Sequence, residues 1–158
     1  MGVQLTPPTT NAMKRRYFLT LSSMFAAMLP LVSPAAAGDF PKGSPAFKTG
    51  YAEALKVAKD EAKPLVLVFS ATWCPPCQAN KAKVYPSDAV KPYHDKFVWA
   101  YLDTDIEANG EVAKKFGVSG IPHIQFLTKA GKSIDKSIGG TTPDAFAGKL
   151  KEVLAAAK

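Results

Sequence analysis

The chain has 158 residues, 47% of them hydrophobic, and carries 20 Lys and Arg against 13 Asp and Glu, a formal charge of +7. That length allows one ordinary domain with a real core, and two cysteines are too few for a disulfide framework or a four-cysteine zinc site within the chain. The positive charge does not point to nucleic acid, because no basic stripe is interleaved with aromatics and both arginines fall at positions 15 and 16.

Lys14, Arg15 and Arg16 precede an apolar stretch from Tyr17 to Val32, and Ala35-Ala36-Ala37 follows. A basic start, a short apolar middle and a small-residue end are the parts of a secretory signal peptide. Residues 1–37 are therefore expected to be cleaved. Pro30 and Pro34 interrupt the run, which is also short for a membrane span. Arg15-Arg16-Tyr17-Phe18-Leu19 resembles a twin-arginine export signal and is equally compatible with the general secretory route. Either route takes the protein out of the cytoplasm, and a bacterial periplasm is the expected location. The remainder keeps 17 basic and 13 acidic residues, a charge of +4. Its scattered lysines read as solvated faces.

Residues 38–45, with Pro41 and Gly43, form a flexible lead-in without periodicity. Over 46–62, Phe47, Tyr51, Ala54, Leu55 and Ala58 recur at helical spacing, and Lys63-Pro64 stops the helix. Leu65 to Ser70 is short and apolar on both faces, as in a buried central strand. A helix is expected from Cys74 to about Val84, broken by Tyr85-Pro86-Ser87-Asp88. Strand 97–102 follows, then a helix over 106–116 closed by Gly117. Strand 121–127, a turn at Ala130-Gly131 and strand 132–138 make a hairpin. Thr141-Thr142-Pro143-Asp144 opens the last helix with a hydroxyl cap and an early proline. The order α, β, α, β, α, β, β, α predicts an α/β fold, a central mixed sheet with helices on both faces, over residues 46–158.

Both cysteines lie in Trp73-Cys74-Pro75-Pro76-Cys77, at the junction of a strand and a helix. A thiolate is the nucleophile in sulfur exchange, and a helix N-terminus stabilises one. Cys74 is thus the expected nucleophile. Cys77, one turn on, is the thiol expected to resolve the mixed disulfide. Neither Pro75 nor Pro76 carries an N–H, which leaves the Cys74 sulfur few donors and predicts a reductant-leaning poise. Two cysteines also suit a soft ion such as Cu(I), with His94 and His123 as candidate added ligands. A redox-linked copper carrier is therefore the alternative to an enzyme. The sequence calls for no resident metal or other cofactor.

Trp73-Cys74-Pro75-Pro76-Cys77 after an apolar strand, followed by Gly117-Val118-Ser119-Gly120-Ile121-Pro122, resembles the thioredoxin family over about residues 46–154. The resemblance implies a thioredoxin fold and thiol–disulfide oxidoreductase activity on protein disulfides. It implies a cis bond at Ile121-Pro122, with Trp73, Ile121, Pro122 and Gly140 lining a groove for an extended substrate strand. The leader helix and Asp103-Thr104-Asp105 resemble exported members similar to the C-terminal domain of the transmembrane disulfide-reductase transporter. Such proteins take electrons from a membrane donor; reductase is expected here over oxidase or isomerase, and a monomer over an oligomer. Three positions depart from the family, two of them a pair: Val68 stands where thioredoxin has a buried aspartate, and Tyr101 where its lysine partner stands. His123 replaces a small hydroxyl residue after the proline and is expected to serve packing or face solvent.

Overall fold

The computed structural model describes residues 1–2 and 39–157. The export segment expected over 1–37 lies, apart from its first two residues, outside them. In chain order the elements are β1 (Phe47–Lys48), α1 (Tyr51–Asp60), β2 (Leu65–Ser70) and α2 (Pro75–Ala79), the last continued by a π-helical turn (Asn80–Val84). A 3-10 helix (Lys91–Lys96), β3 (Val98–Asp103), α3 (Glu107–Lys115), β4 (His123–Leu127), β5 (Ser133–Ile138) and α4 (Pro143–Ala156) complete it.

The five strands form one sheet in the order β1-β3-β2-β4-β5. β2 and β3 pair in parallel, and β4 runs antiparallel to both β2 and β5. β2 sits centrally, and all six of its residues are buried, which is why its sequence shows no alternation. Its side chains divide the core. Val66 and Val68 join Tyr85, Trp99, Phe146, Leu150 and Val153 on the face covered by α4 and the turn after α2. Leu65, Leu67 and Phe69 meet Ala54, Ala58 and Ala113 of α1 and α3 on the other. The expected mixed sheet with helices on both faces is the observed architecture.

Four local expectations are corrected. The helix expected over 46–62 begins only at Tyr51; Phe47 and Lys48 instead add an edge strand beside Trp99 and Ala100. Phe47 lies at helical spacing from Tyr51 only by coincidence, since its ring belongs to the aromatic cluster with Phe40, Tyr85, Trp99 and Tyr101. The helix expected to run to Val84 changes to π geometry at Asn80, where the Tyr85 N–H bonds the Asn80 carbonyl at 3.2 Å. The 3-10 helix was not anticipated. The lead-in read as flexible is packed at Phe40, whose ring stacks on Phe47 at 4.4 Å and meets the Tyr101 edge at 4.9 Å.

Smaller shifts have plain causes. β4 starts at His123 rather than Ile121, because a proline cannot donate to the ladder. Gly117 closes α3 at φ +64°, with its N–H bonded to the Lys114 carbonyl and the Val118 N–H to Ala113. Thr142 caps α4 by accepting the Ala145 N–H at 3.3 Å.

Candidate active site

The parallel crossover from β2 brings the chain out at the C-terminal end of the sheet, and α2 begins there. Cys74 is the N-cap of α2, with extended backbone, and Pro75 and Pro76 fill the first turn. Proline fits at those positions because the first helical N–H groups lack intrahelical partners anyway. Cys74 Sγ accepts the Cys77 N–H at 3.3 Å. Of the first three residues of α2, only Cys77 has an N–H to offer. The two cysteines are joined in a disulfide with 5.2 Å between their Cα atoms.

Both cysteines are nearly covered, at 3% exposure for Cys74 and 1% for Cys77, and they pack with Ala71 and Ile121. Trp73 is the opposite case. It is 67% exposed, and its Nε1 donates to Asp105 Oδ2 at 2.8 Å. That bond ties the residue before the dithiol to the loop between β3 and α3. The sequence reading missed Asp105 as a site residue, because only the parallel register of β2 and β3 places their two C-terminal ends side by side.

The structure places Ile121, Pro122 and Gly140 close to the dithiol helix. Ile121-Pro122 is cis and lies against the dithiol cluster through Ile121. The Pro122 carbonyl accepts the Gly139 N–H at 2.8 Å. A Cβ at Gly140 would stand 3.8 Å from Pro76 Cβ, so this glycine borders α2 directly. Gly139 holds φ +90°, a conformation that glycine adopts without strain. Trp73, Pro76, Ile121 and Gly140 therefore rim one shallow surface around the two sulfurs.

Beneath it, the register sets Val68 opposite Tyr101. Tyr101 is partly buried, and burial raises its phenol above the ordinary tyrosine range against the opposing effect of its Ser70 bond. The buried polar side chains among the described residues are Ser70, Asn80, Asn109, His123 and Gln125, and none of them is a carboxylate. Cys77 thus has no buried acid for a proton partner.

The two histidines stand apart from this chemistry. His94 bonds the Tyr85 carbonyl at 2.8 Å from the 3-10 helix. His123 is fully buried and does not face solvent; its ring meets Phe69 edge-on at 5.8 Å, Nε2 pairs with Gln125 at 3.2 Å, and Nδ1 has no hydrogen-bond partner among the described residues. Phe69 belongs to the α1 and α3 side of the sheet, so His123 points away from the α2 face. Among the described residues no three metal-ligating side chains gather.

A mixed sheet with a Cys-X-X-Cys disulfide at a strand-to-helix corner, facing a cis-proline loop, defines a thioredoxin-type dithiol protein. Residues 51–154 match the family model described as a thioredoxin-like domain, and the chain belongs to that family. Thioredoxin H4 of Arabidopsis thaliana is 34% identical over 90 residues, which cover 57% of this chain and 71% of that protein. The chloroplastic thioredoxin-like protein HCF164 of rice is 34% identical over 91 residues, 58% of this chain and about a third (32%) of the relative. The solution structure of a thioredoxin from Thermus thermophilus superposes with a TM-score of 0.63 at 26% identity, covering 69% of this chain and 87% of that one. This chain is a thiol–disulfide oxidoreductase.

Proposed function

We propose that the protein is an exported reductase of protein disulfides, working as a monomer in a bacterial periplasm. Cys74 would attack one sulfur of a substrate disulfide, forming a mixed disulfide and expelling the other sulfur as a thiolate. Cys77 would then attack Cys74 Sγ, releasing the second substrate thiol and closing the Cys74–Cys77 bond. A dithiol donor must return two electrons and two protons for the next cycle. A membrane protein facing the periplasm is the proposed donor, and the basic-apolar-small pattern of residues 14–37 supports that compartment.

The observation that carries the direction is the lone Cys77 amide on Cys74 Sγ. A thiolate stabilised by several amides favours the reduced protein and makes an oxidant. Pro75 and Pro76 withhold two such donors and lean the balance toward giving electrons away. Trp73, Ile121, Pro122 and Gly140 are assigned to substrate binding, with the Ile121 backbone available to pair with an extended strand.

Reduction of insulin disulfides by the protein, recycled with dithiothreitol, tests the reading, together with equilibration against glutathione. Insulin reduction and a potential well below the roughly −120 mV of strong oxidants are expected. A potential at that oxidising level overturns the direction. Cys77→Ala should accumulate mixed disulfides through Cys74, and Cys74→Ala should not; the reverse pattern exchanges the two roles.

A further inference from the structure

The helix that carries the dithiol does not continue regularly. It widens to π geometry at Asn80, one turn beyond Cys77. Such single wide turns recur at functional sites because they re-aim a side chain. Here the side chain turned inward is an amide at a place lined by hydrophobic residues. Asn80 is 1% exposed, and beside it in the fold lies the Tyr85 hydroxyl, itself fully buried. Asn80 Nδ2 and Tyr85 Oη face each other just outside full hydrogen-bond geometry, and neither has another partner among the described residues. Burying an amide costs free energy unless its polar atoms are paired, so what its carbonyl bonds matters.

The carbonyl end of Asn80 is used. Its Oδ1 accepts the backbone N–H of Thr141 at 3.2 Å, across 61 residues of sequence. Thr141 directly follows Gly139-Gly140, the segment that borders Pro76 and bonds the Pro122 carbonyl through Gly139. This bond joins the dithiol helix to the far wall of the substrate groove. Gly139 and Gly140 have no side chains with which to anchor themselves, and glycine-rich backbone is the most mobile kind. A fixed acceptor just beyond them sets where that wall stands.

We infer that Asn80 is a positioning residue for protein substrates: its carbonyl holds the Gly140–Thr141 wall in register with α2, and so sets affinity for an extended chain without touching the sulfurs. The inference rests on the groove assigned above. A small disulfide needs only the sulfurs, whereas a polypeptide disulfide needs the groove as well. Asn80 therefore separates the two substrate classes.

Asn80→Leu removes the acceptor while nearly conserving volume. The comparison is of exchange with insulin and with the small disulfide 5,5′-dithiobis(2-nitrobenzoate). For Asn80→Leu the insulin KM should rise about five-fold, the effect of losing one neutral hydrogen bond, with kcat and the small-disulfide rate unchanged. Equal losses on both substrates would sink the inference, since Asn80 would then act on the dithiol or the fold. An unchanged insulin KM overturns it as well. Failure of the unaltered protein to exchange with insulin while it reacts with the small disulfide would count against the protein-disulfide reading itself, and against this inference with it.

Discussion

Tyr101 reaches from β3 toward the end of β2 and sets its hydroxyl 2.5 Å from Ser70 Oγ, on the strand that leads into the dithiol. With Val68 beside it, this neutral pair occupies the ground where a thioredoxin resemblance leads one to expect a buried aspartate and lysine. The floor of the site is held by a hydroxyl–hydroxyl bond instead of a charge pair. Desolvating two charges is costly, and a neutral pair avoids that cost.

Tyr101→Phe should strand the fully buried Ser70 hydroxyl and lower stability by about 1–2 kcal/mol. Urea unfolding measures this, and adding Ser70→Ala should restore most of the loss. The pH profile of thiol exchange between pH 6 and 9 should stay as it was, since neither hydroxyl carries charge there. A profile displaced by Tyr101→Phe would mean that the phenol takes part in proton transfer.

Tyr85 should make the stability fall at alkaline pH. Burial, and secondarily the neighbouring Tyr101, push its phenol far above the ordinary value of 10.0, and burial raises Tyr101 as well. Each proton is held more tightly in the folded chain than in the unfolded one. Their stabilising contribution is therefore complete below pH 10 and declines as pH rises past it. Tyr85→Phe removes a hydroxyl whose polar neighbour is the Asn80 amide, just outside full hydrogen-bond geometry. It should change neutral-pH stability by less than about 1 kcal/mol and flatten the loss between pH 10 and 12, read by circular dichroism.

Pro76→Ala supplies an N–H at the second position of α2, within reach of the N-cap sulfur. A hydrogen bond to a charged group contributes about 1.5–3 kcal/mol, which converts to a potential roughly 30–60 mV more oxidising. The Cys74 thiol should ionise at lower pH, followed by thiolate absorbance at 240 nm. An unchanged potential would mean that the missing proline donors do not set the poise.

His123→Ala should cost about 2–4 kcal/mol, as truncation of a fully buried side chain does. Denaturant unfolding gives the figure. Its thiol-exchange pH profile should match the unaltered protein's, because the ring faces Phe69 on the side of the sheet away from α2. A profile altered at mildly acidic pH would place the imidazole in the chemistry after all.

Much of the fold could be read from local pattern. β2 announced itself as an unbroken apolar run, and α4 by Thr142 and Pro143 at its start. The two-residue β1 could not be found that way. Its residues are held by pairing with Trp99 and by four aromatic contacts, none of which leaves a local trace. The π turn at Asn80 was equally hidden, since one extra residue in a helical turn leaves the hydrophobic spacing nearly unchanged.

The site divides along the same line. Cys74, Cys77 and the two prolines are covalent neighbours, so their number and spacing alone specified a dithiol at a helix start and the scarcity of amides around it. Asp105, Asn80 and Thr141 entered only with the tertiary structure. They lie 31, 6 and 67 positions from Cys74, and their bonds exist because the parallel register of β2 and β3 and the return of the chain after β5 bring distant backbone together. Sequence determines which atoms can react, through the chemistry each residue carries. Tertiary structure decided what surrounds them, because a hydrogen bond depends on distances of a few tenths of an ångström that no spacing along the chain encodes.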